Sequence, residues 1–155
     1  MSKSYIAPNA TVVGDVVLGE NVNIWYGAVL RGDSGTITLG EGTNVQDNCI
    51  IHENTITGAF CTVGHGAILH GCTLGNDCLI GMGSIVLDGA VLGDGCLVGA
   101  GALVTGKTNA PAGTVLLGSP AKAVKTLPPE QIAHHRENAE HYIQLATEAF
   151  GNNCR

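Results

Sequence analysis

Residues 74–104 read LGNDCLIGMGSIVLDGAVLGDGCLVGAGALV and repeat every six residues. Each repeat ends in an aliphatic residue, and a small residue lies two positions before it. Because side chains alternate between the two faces of a strand, the small and the aliphatic residue point the same way. A unit of six residues is too short to bury a core of its own. The stretch therefore predicts short strands stacked as repeats, with these two positions facing inward.

The same period extends towards the N-terminus, interrupted by one nine-residue and one five-residue step. Three units per coil would give a triangular parallel β-helix with an 18-residue coil, and sixteen units predict about five coils. The additional residues of the nine-residue step are expected to loop out within residues 32–35. The sixteen aliphatic positions are Val12, Leu18, Ile24, Leu30, Leu39, Val45, Ile51, Thr57, Val63, Leu69, Leu74, Ile80, Val86, Leu92, Val98 and Val104.

Composition agrees with this architecture and excludes several classes of function. The 155 residues include 23 glycines and only 13% charged residues, which disfavours a helical bundle. The net charge is −6, and the seven Lys and Arg residues are scattered, so no basic patch for nucleic acid is expected. No apolar run approaches the roughly 18 residues of a membrane span. The first ten residues lack an apolar signal core, which predicts a cytoplasmic protein.

Five of the six cysteines fall at the small inward position of the repeat. A thiol there behaves as a compact apolar group, and a reducing compartment disfavours disulfides. We therefore expect buried free thiols at Cys49, Cys61, Cys72, Cys78 and Cys96.

A connector and a helix follow the repeats. We interpret residues 111–127 as this connector, and Pro128, Pro129 and Glu130 are typical of a helix start. A stripe of residues then recurs every three or four positions, which predicts one buried face of a helix packed on the outside of the prism. The stripe consists of Ile132, His135, Ala139, Tyr142, Ile143, Ala146 and Phe150. We divide the single structural domain into a hexapeptide-repeat β-helix with its exit segment, residues 1–127, and a C-terminal helix and tail, residues 128–155.

Two histidines lie in register on the predicted prism. His52 follows Ile51 and His70 follows Leu69, and eighteen residues, one full coil, separate them. Their backbones should therefore be about 4.8 Å apart. Arg31 occupies the same column one coil earlier. Imidazoles at this spacing can converge on one metal ion.

A third histidine, His65, is expected on the preceding side of the prism, in one column with Asp47 and beside Gln46. Around a threefold axis this side of one subunit can meet the His52 and His70 side of its neighbour. Three imidazole donors with an open position are typical of catalytic zinc. Fe²⁺ and Co²⁺ also bind imidazole, so the sequence leaves the metal open.

Four motifs together resemble the γ-class carbonic anhydrases, a family of hexapeptide-repeat proteins. They are residues 25–33 (WYGAVLRGD), 43–47 (TNVQD), 51–52 (IH) and 63–72 (VGHGAILHGC). The resemblance implies a left-handed β-helix and a homotrimer with one metal at each of three subunit interfaces. It also implies reversible hydration of carbon dioxide to bicarbonate, with metal-bound hydroxide as the nucleophile. By match, His52 and His70 come from one subunit and His65 from the next.

The resemblance implies further roles around the metal. Arg31 and Asp33 match an interface ion pair, and Arg31 also faces bicarbonate. Gln46 matches the residue that hydrogen-bonds metal-bound solvent. The remaining matches are the supporting pocket residues Asn44 and Asp47 and a helix tyrosine that approaches the site, Tyr142.

The sequence departs from the family pattern in its proton-transfer groups. A family glutamate after the loop aspartate is replaced by Ser34, and the loop between the first two ligands is short, with Glu53 as its sole acid. Glu53, Tyr142 or solvent would then accept the proton. Two alternatives stay open: a catalytically silent metal-binding or scaffold homologue, and a hexapeptide acyltransferase with a histidine general base.

Overall fold

The fold is that of a computed structural model, which describes residues 3–151. Parallel strands form a triangular prism, and one helix, α1 (Pro129–Phe150), lies against its outside. The strands within these residues are β1 (Tyr5–Ile6), β2 (Thr11–Leu18), β3 (Asn23–Ile24), β4 (Val29–Leu39), β5 (Asn44–Val45), β6 (Ile50–His52), β7 (Ile56–Thr57), β8 (Thr62–Val63), β9 (Ile68–His70), β10 (Thr73–Leu74), β11 (Leu79–Ile80), β12 (Ile85–Val86), β13 (Val91–Leu92), β14 (Leu97–Val98), β15 (Leu103–Val104), β16 (Asn109–Ala110), β17 (Thr114–Gly118) and β18 (Ala121–Thr126).

The strands stack into three walls. The first wall runs β1-β3-β5-β8-β11-β14-β17, and β18 closes it as an antiparallel strand. The second wall consists of the first halves of β2 and β4, followed by β6, β9, β12 and β15. The third wall consists of the second halves of β2 and β4, followed by β7, β10, β13 and β16. The predicted parallel β-helix is thus confirmed.

The prism has about six coils, not the five that the sixteen aliphatic positions predict. The units that end in Ile6, Ala110 and Leu116 also belong to it, since they pair with Ile24, Leu92 and Val98 of the neighbouring coils.

The extra residues between Leu30 and Leu39 do not form a loop outside the strand. They stay within β4, where the pairing with β2 shifts register between Gly14 and Val16. The insertion is therefore a bulge that bends β4 around the corner between the second and third walls, because its two halves pair with β6 and β7.

The interior contains the predicted aliphatic and thiol side chains. Fourteen of the sixteen aliphatic positions are buried, and Val12 and Leu18 in the first coil are half-buried. All five predicted thiols are buried and free. Burial raises the pKa of the Cys49 thiol to about 11 and that of Cys72 to about 12, so both stay protonated at neutral pH.

Helix α1 covers the first wall and runs back along the prism. Arg136 forms a two-pronged ion pair with Asp77, with nitrogen–oxygen distances of 2.9 and 3.1 Å, and its guanidinium lies over the Phe60 ring. Near the other end of the helix, the hydroxyls of Thr147 and of Tyr5 in β1 are hydrogen-bonded at 3.0 Å. The predicted external packing is confirmed. No helix within residues 3–151 is long and apolar enough to span a membrane.

Candidate metal centre

His52 and His70 lie one above the other on the second wall. Arg31 pairs with His52 across β4 and β6, and His52 pairs with His70 across β6 and β9, as the 18-residue spacing predicts. The imidazole ring centroids are 5.1 Å apart. His52 Nδ1 and His70 Nε2 face each other at 3.2 Å.

The outer nitrogen of each ring is engaged by a carboxylate. His52 Nε2 lies 2.9 Å from Asp33 Oδ1, and His70 Nδ1 contacts Asp88 Oδ1. An ionised carboxylate only accepts hydrogen bonds, so these outer nitrogens carry the protons. The two facing nitrogens therefore present lone pairs to one another.

This arrangement fits a divalent transition metal. Two lone pairs at 3.2 Å repel each other unless a cation or a proton lies between them. Tetrahedral zinc with bonds of about 2.1 Å holds neighbouring nitrogens about 3.4 Å apart. Outer carboxylates that fix the imidazole tautomer are typical of metal sites. Glu53 adds an oxygen: one donor atom each from His52, Glu53 and His70 lies within 4.8 Å of the others.

Asp33, Ser34 and Glu53 surround the outer edge of the pair. Arg31 Nη1 donates to Asp33, and hydrogen bonds from His52 and then Arg31 lower the pKa of the Asp33 carboxyl to about 2. Ser34 Oγ lies 3.1 Å from His52 Nε2 and donates to Glu53 Oε1, also at 3.1 Å. Glu53 is thus linked through Ser34 to the candidate ligand His52, and the lowered pKa keeps the Asp33 carboxyl ionised at neutral pH.

His65 lies apart from this pair. It follows β8 on the first wall, where its Nδ1 is 2.8 Å from Asp47 Oδ2 in the coil before. The carboxylate holds the proton on Nδ1 and leaves the lone pair on Nε2. Within the described residues, His65 does not belong to the cluster of His52, Glu53 and His70.

Gln46 and Asn44 lie beside His65, beneath the helix. Both are buried, and Gln46 Nε2 donates to Asn44 Oδ1 at 3.1 Å. Gln46 borders a mainly apolar cavity of about 180 Å³. The other lining residues are Thr62, Gly64, Leu79, Ile80, Gly81, Met82 and Asn138.

Tyr142 faces the prism from α1. Its ring packs edge-on against Trp25, with centroids 5.4 Å apart. Burial, together with the charge of Asp47, raises the pKa of the Tyr142 hydroxyl. The helix thus brings Tyr142 to the side of the prism that carries Asp47 and His65.

Comparison with known proteins gives the family. A family model for the bacterial transferase hexapeptide (six repeats) matches residues 1–32 and 71–106, and one for the hexapeptide repeat of succinyl-transferase matches residues 53–88. The chain is 45% identical over 145 residues to a protein named “Probable carbonic anhydrase” from Methanocaldococcus jannaschii, and the match covers 91% of both. This chain belongs to the γ carbonic anhydrase family of hexapeptide-repeat proteins.

Two further proteins are similar to this chain. “Gamma carbonic anhydrase 2, mitochondrial” from Arabidopsis thaliana is 43% identical over 152 residues, but the chain spans only 55% of the plant protein. A crystal structure described as a hexapeptide transferase family protein from Anaplasma phagocytophilum is 46% identical. It superposes with a TM-score of 0.92 over 96% of this chain and 90% of that one.

Sequence patterns missed several residues that surround the candidate metal centre. Asp88 follows His70 by eighteen residues, and Thr62 follows Asn44 by the same interval, so coil spacing could have indicated both. Ser34 reaches His52 only because β4 bulges there. Asn138 donates to Thr62 from α1, a contact set by tertiary packing that no repeat spacing encodes.

Proposed function

We propose that this chain catalyses the reversible hydration of carbon dioxide to bicarbonate at a divalent metal. His52 and His70 hold the metal from one subunit, and His65 holds it from the neighbouring subunit of a homotrimer. The observation that carries the proposal is the pair of lone-pair nitrogens of His52 and His70, 3.2 Å apart, with Arg31 in the same column. The family supports the same reaction.

A divalent metal held by these three histidines would supply a hydroxide nucleophile at neutral pH, because zinc lowers the pKa of coordinated water to about 7. The chain's own groups do the rest. Gln46 orients the attacking oxygen by a hydrogen bond from the edge of the apolar cavity, where carbon dioxide is held. Arg31, with its side chain half exposed, provides a fixed positive charge that binds the bicarbonate anion.

The proton leaves through Glu53. Its carboxylate lies 3.9 Å from His52 Nδ1, accepts a hydrogen bond from Ser34, and is partly open to solvent. It can therefore take a proton near the metal position and pass it to buffer. Because Glu53 is the sole acid of a short loop, we expect proton transfer to limit turnover. Tyr142, on the helix side, is the second candidate for accepting the proton.

One preparation tests the proposal. The protein is loaded in turn with zinc, iron(II) or cobalt(II), and metal content and stopped-flow hydration of carbon dioxide are measured together. His70→Ala should lose the metal and at least about a hundredfold in kcat/KM, while its oligomeric state by light scattering is unchanged. His141→Ala, an exposed helix histidine, is the matched control and should retain both.

The results separate the proposal from its alternatives. Metal bound at one ion per chain without hydration above the metal-free blank would identify a silent metal-binding homologue. An acyltransferase is the second candidate, because the crystal structure at 46% identity is described as a hexapeptide transferase family protein. Acetyl-CoA binding by calorimetry that a chelator leaves unchanged would favour it. Acyl transfer, however, needs a single histidine base and gives no role to an imidazole pair in register.

A further inference from the structure

A chain of side-chain hydrogen bonds connects α1 to Gln46. Asn138 Nδ2 donates to Thr62 Oγ1 at 3.0 Å, Asn44 Nδ2 donates to the same oxygen at 2.8 Å, and Gln46 Nε2 donates to Asn44 Oδ1 at 3.1 Å. We propose that Thr62 and Asn138 are positioning residues that fix the Gln46 amide through Asn44. The inference rests on the proposed function, in which Gln46 orients the attacking oxygen.

The backbone carbonyl of Cys61 sets the direction of this chain. Asn44 Nδ2 also lies 3.3 Å from that carbonyl oxygen, which can only accept. The Asn44 amide must therefore direct its nitrogen to Cys61 and Thr62 and its oxygen to Gln46. Gln46 in turn must direct Nε2 to Asn44 Oδ1. If Gln46 Oε1 occupied that position, two acceptor oxygens would face each other. The carbonyl oxygen of Gln46 is thereby turned away from Asn44.

Because these side chains are buried, any change in the orientation of the two amides would cost free energy. Asn44 is fully buried, and Thr62 and Gln46 are only 4% and 5% exposed. Water therefore has little access to replace a lost partner, and a broken bond leaves a polar atom unsatisfied. Within the described residues, no fully enclosed side-chain nitrogen or oxygen lacks a partner, and a buried polar network in this state favours one side-chain arrangement.

The same type of side-chain hydrogen bond recurs one coil earlier. Trp25 Nε1 donates to Asn23 Oδ1 at 2.8 Å, and Asn23 pairs with Asn44 across β3 and β5. In both coils an asparagine at the start of a strand holds the side chain two residues later. The Gln46 bond is thus part of how this wall fixes side chains beneath the helix.

Asn138 attaches the network to a rigid part of α1. One turn earlier, His135 Nδ1 donates to the backbone carbonyl of Asp77 at 2.9 Å, and Arg136 pairs with the Asp77 carboxylate. Asn138 also borders the same cavity as Gln46. The helix therefore holds Asn138 in place at the cavity edge, and Thr62 transmits that position to Asn44.

The test compares two substitutions of Thr62 in the full-length, metal-loaded protein. Thr62→Val keeps the shape and removes the hydroxyl, whereas Thr62→Ser keeps the hydroxyl. We expect Thr62→Val to lower kcat about tenfold with KM and metal content within about twofold, and Thr62→Ser to stay within about twofold of wild type. Asn138→Ala should also lower kcat. Glu137→Ala, on the exposed face of α1, is the control and should leave kcat unchanged.

A spectroscopic measurement reports on Gln46 directly. The side-chain amide resonances of Gln46, assigned by their loss in Gln46→Glu, should shift in Thr62→Val and stay in place in Thr62→Ser. Unmoved resonances, or an unchanged kcat in Thr62→Val, would overturn the inference; a role in stability alone predicts a lower Tm with neither change. A wild-type protein that hydrates no carbon dioxide would defeat the proposed function. The Gln46 amide resonances of the Thr62 variants would still show whether Thr62 positions Gln46.

Discussion

The contact between His70 and Asp88 decides which imidazole nitrogen faces His52. Because Asp88 accepts from Nδ1, the lone pair of His70 is held on Nε2. Removal of an outer carboxylate of this kind costs about 10- to 100-fold in metal affinity. We therefore expect Asp88→Ala to weaken zinc binding by about that factor, and Asp88→Asn, which keeps an acceptor, to weaken it less.

Competition with a chromophoric chelator measures this affinity without any assay of activity. Glu140→Ala, an exposed acid on α1, controls for the change in net charge. Equal affinities of Asp88→Ala and wild type would mean that His70 is oriented by its backbone alone.

Residue positions were predictable from the sequence where coil arithmetic applies. The 18-residue interval places His52 over His70 and Asp47 beside His65, and both pairs are in contact. The contacts of Ser34 with His52 and Glu53 were not predictable, because they depend on how β4 bulges. The role of each of these residues in metal binding stays a prediction.

At the scale of the elements, the prism interior protects its thiols. The described cysteines are buried, and burial raises the pKa values of Cys49 and Cys72 to about 11 and 12. Only a thiolate reacts readily with a disulfide reagent, so neither burial nor ionisation favours reaction at neutral pH. We expect the five interior thiols to react with Ellman's reagent only as fast as the prism unfolds.

The experiment is best done on Cys154→Ser, since Cys154 lies outside the described residues. In the native protein, less than about one thiol per chain should react with Ellman's reagent over hours. In the guanidinium-unfolded protein, all five thiols should react. Rapid reaction of any interior thiol in the native protein would show that a coil opens locally. Raising the pH from 7 to 9 should change the native rate little if unfolding of the prism limits it, whereas direct reaction of folded thiols would accelerate about tenfold per pH unit, because the thiolate fraction rises that steeply below the raised pKa values.

The six-residue period identified sixteen units of the prism but missed the units that end in Ile6 and Leu116, although both residues are aliphatic and continue the period. It missed the unit that ends in Ala110, because a single alanine does not carry the pattern, although Ala110 is buried against Leu92. Four residues of the predicted helix stripe are buried, and the other three are half-buried: the buried ones are His135, Ala139, Ala146 and Phe150, and the half-buried ones are Ile132, Tyr142 and Ile143. The ion pair that Arg136 forms with the prism depends on tertiary packing, which the stripe does not encode.

At the scale of the whole molecule, one chain presents its three candidate metal-ligating histidines in two separate places. His52 and His70 converge on the second wall, whereas His65, held by Asp47, follows β8 of the first wall. Three ligands at one metal therefore require a second copy whose first wall meets this second wall. An interface between unlike faces closes into a ring when its rotation is a third of a turn, which is the proposed homotrimer.

Mixed subunits test this assembly. His65→Ala lacks the donor of one face and His70→Ala lacks a donor of the other, so neither variant alone should hold metal. When the two are unfolded together in equal amounts and refolded, random assortment should place intact faces opposite each other at about a quarter of the interfaces. Metal content and hydration activity should both recover to about a quarter of the level of refolded wild type. A mixture that stays as poor in metal as each variant alone would mean that the site is built within one chain, because no exchange of subunits could then restore it.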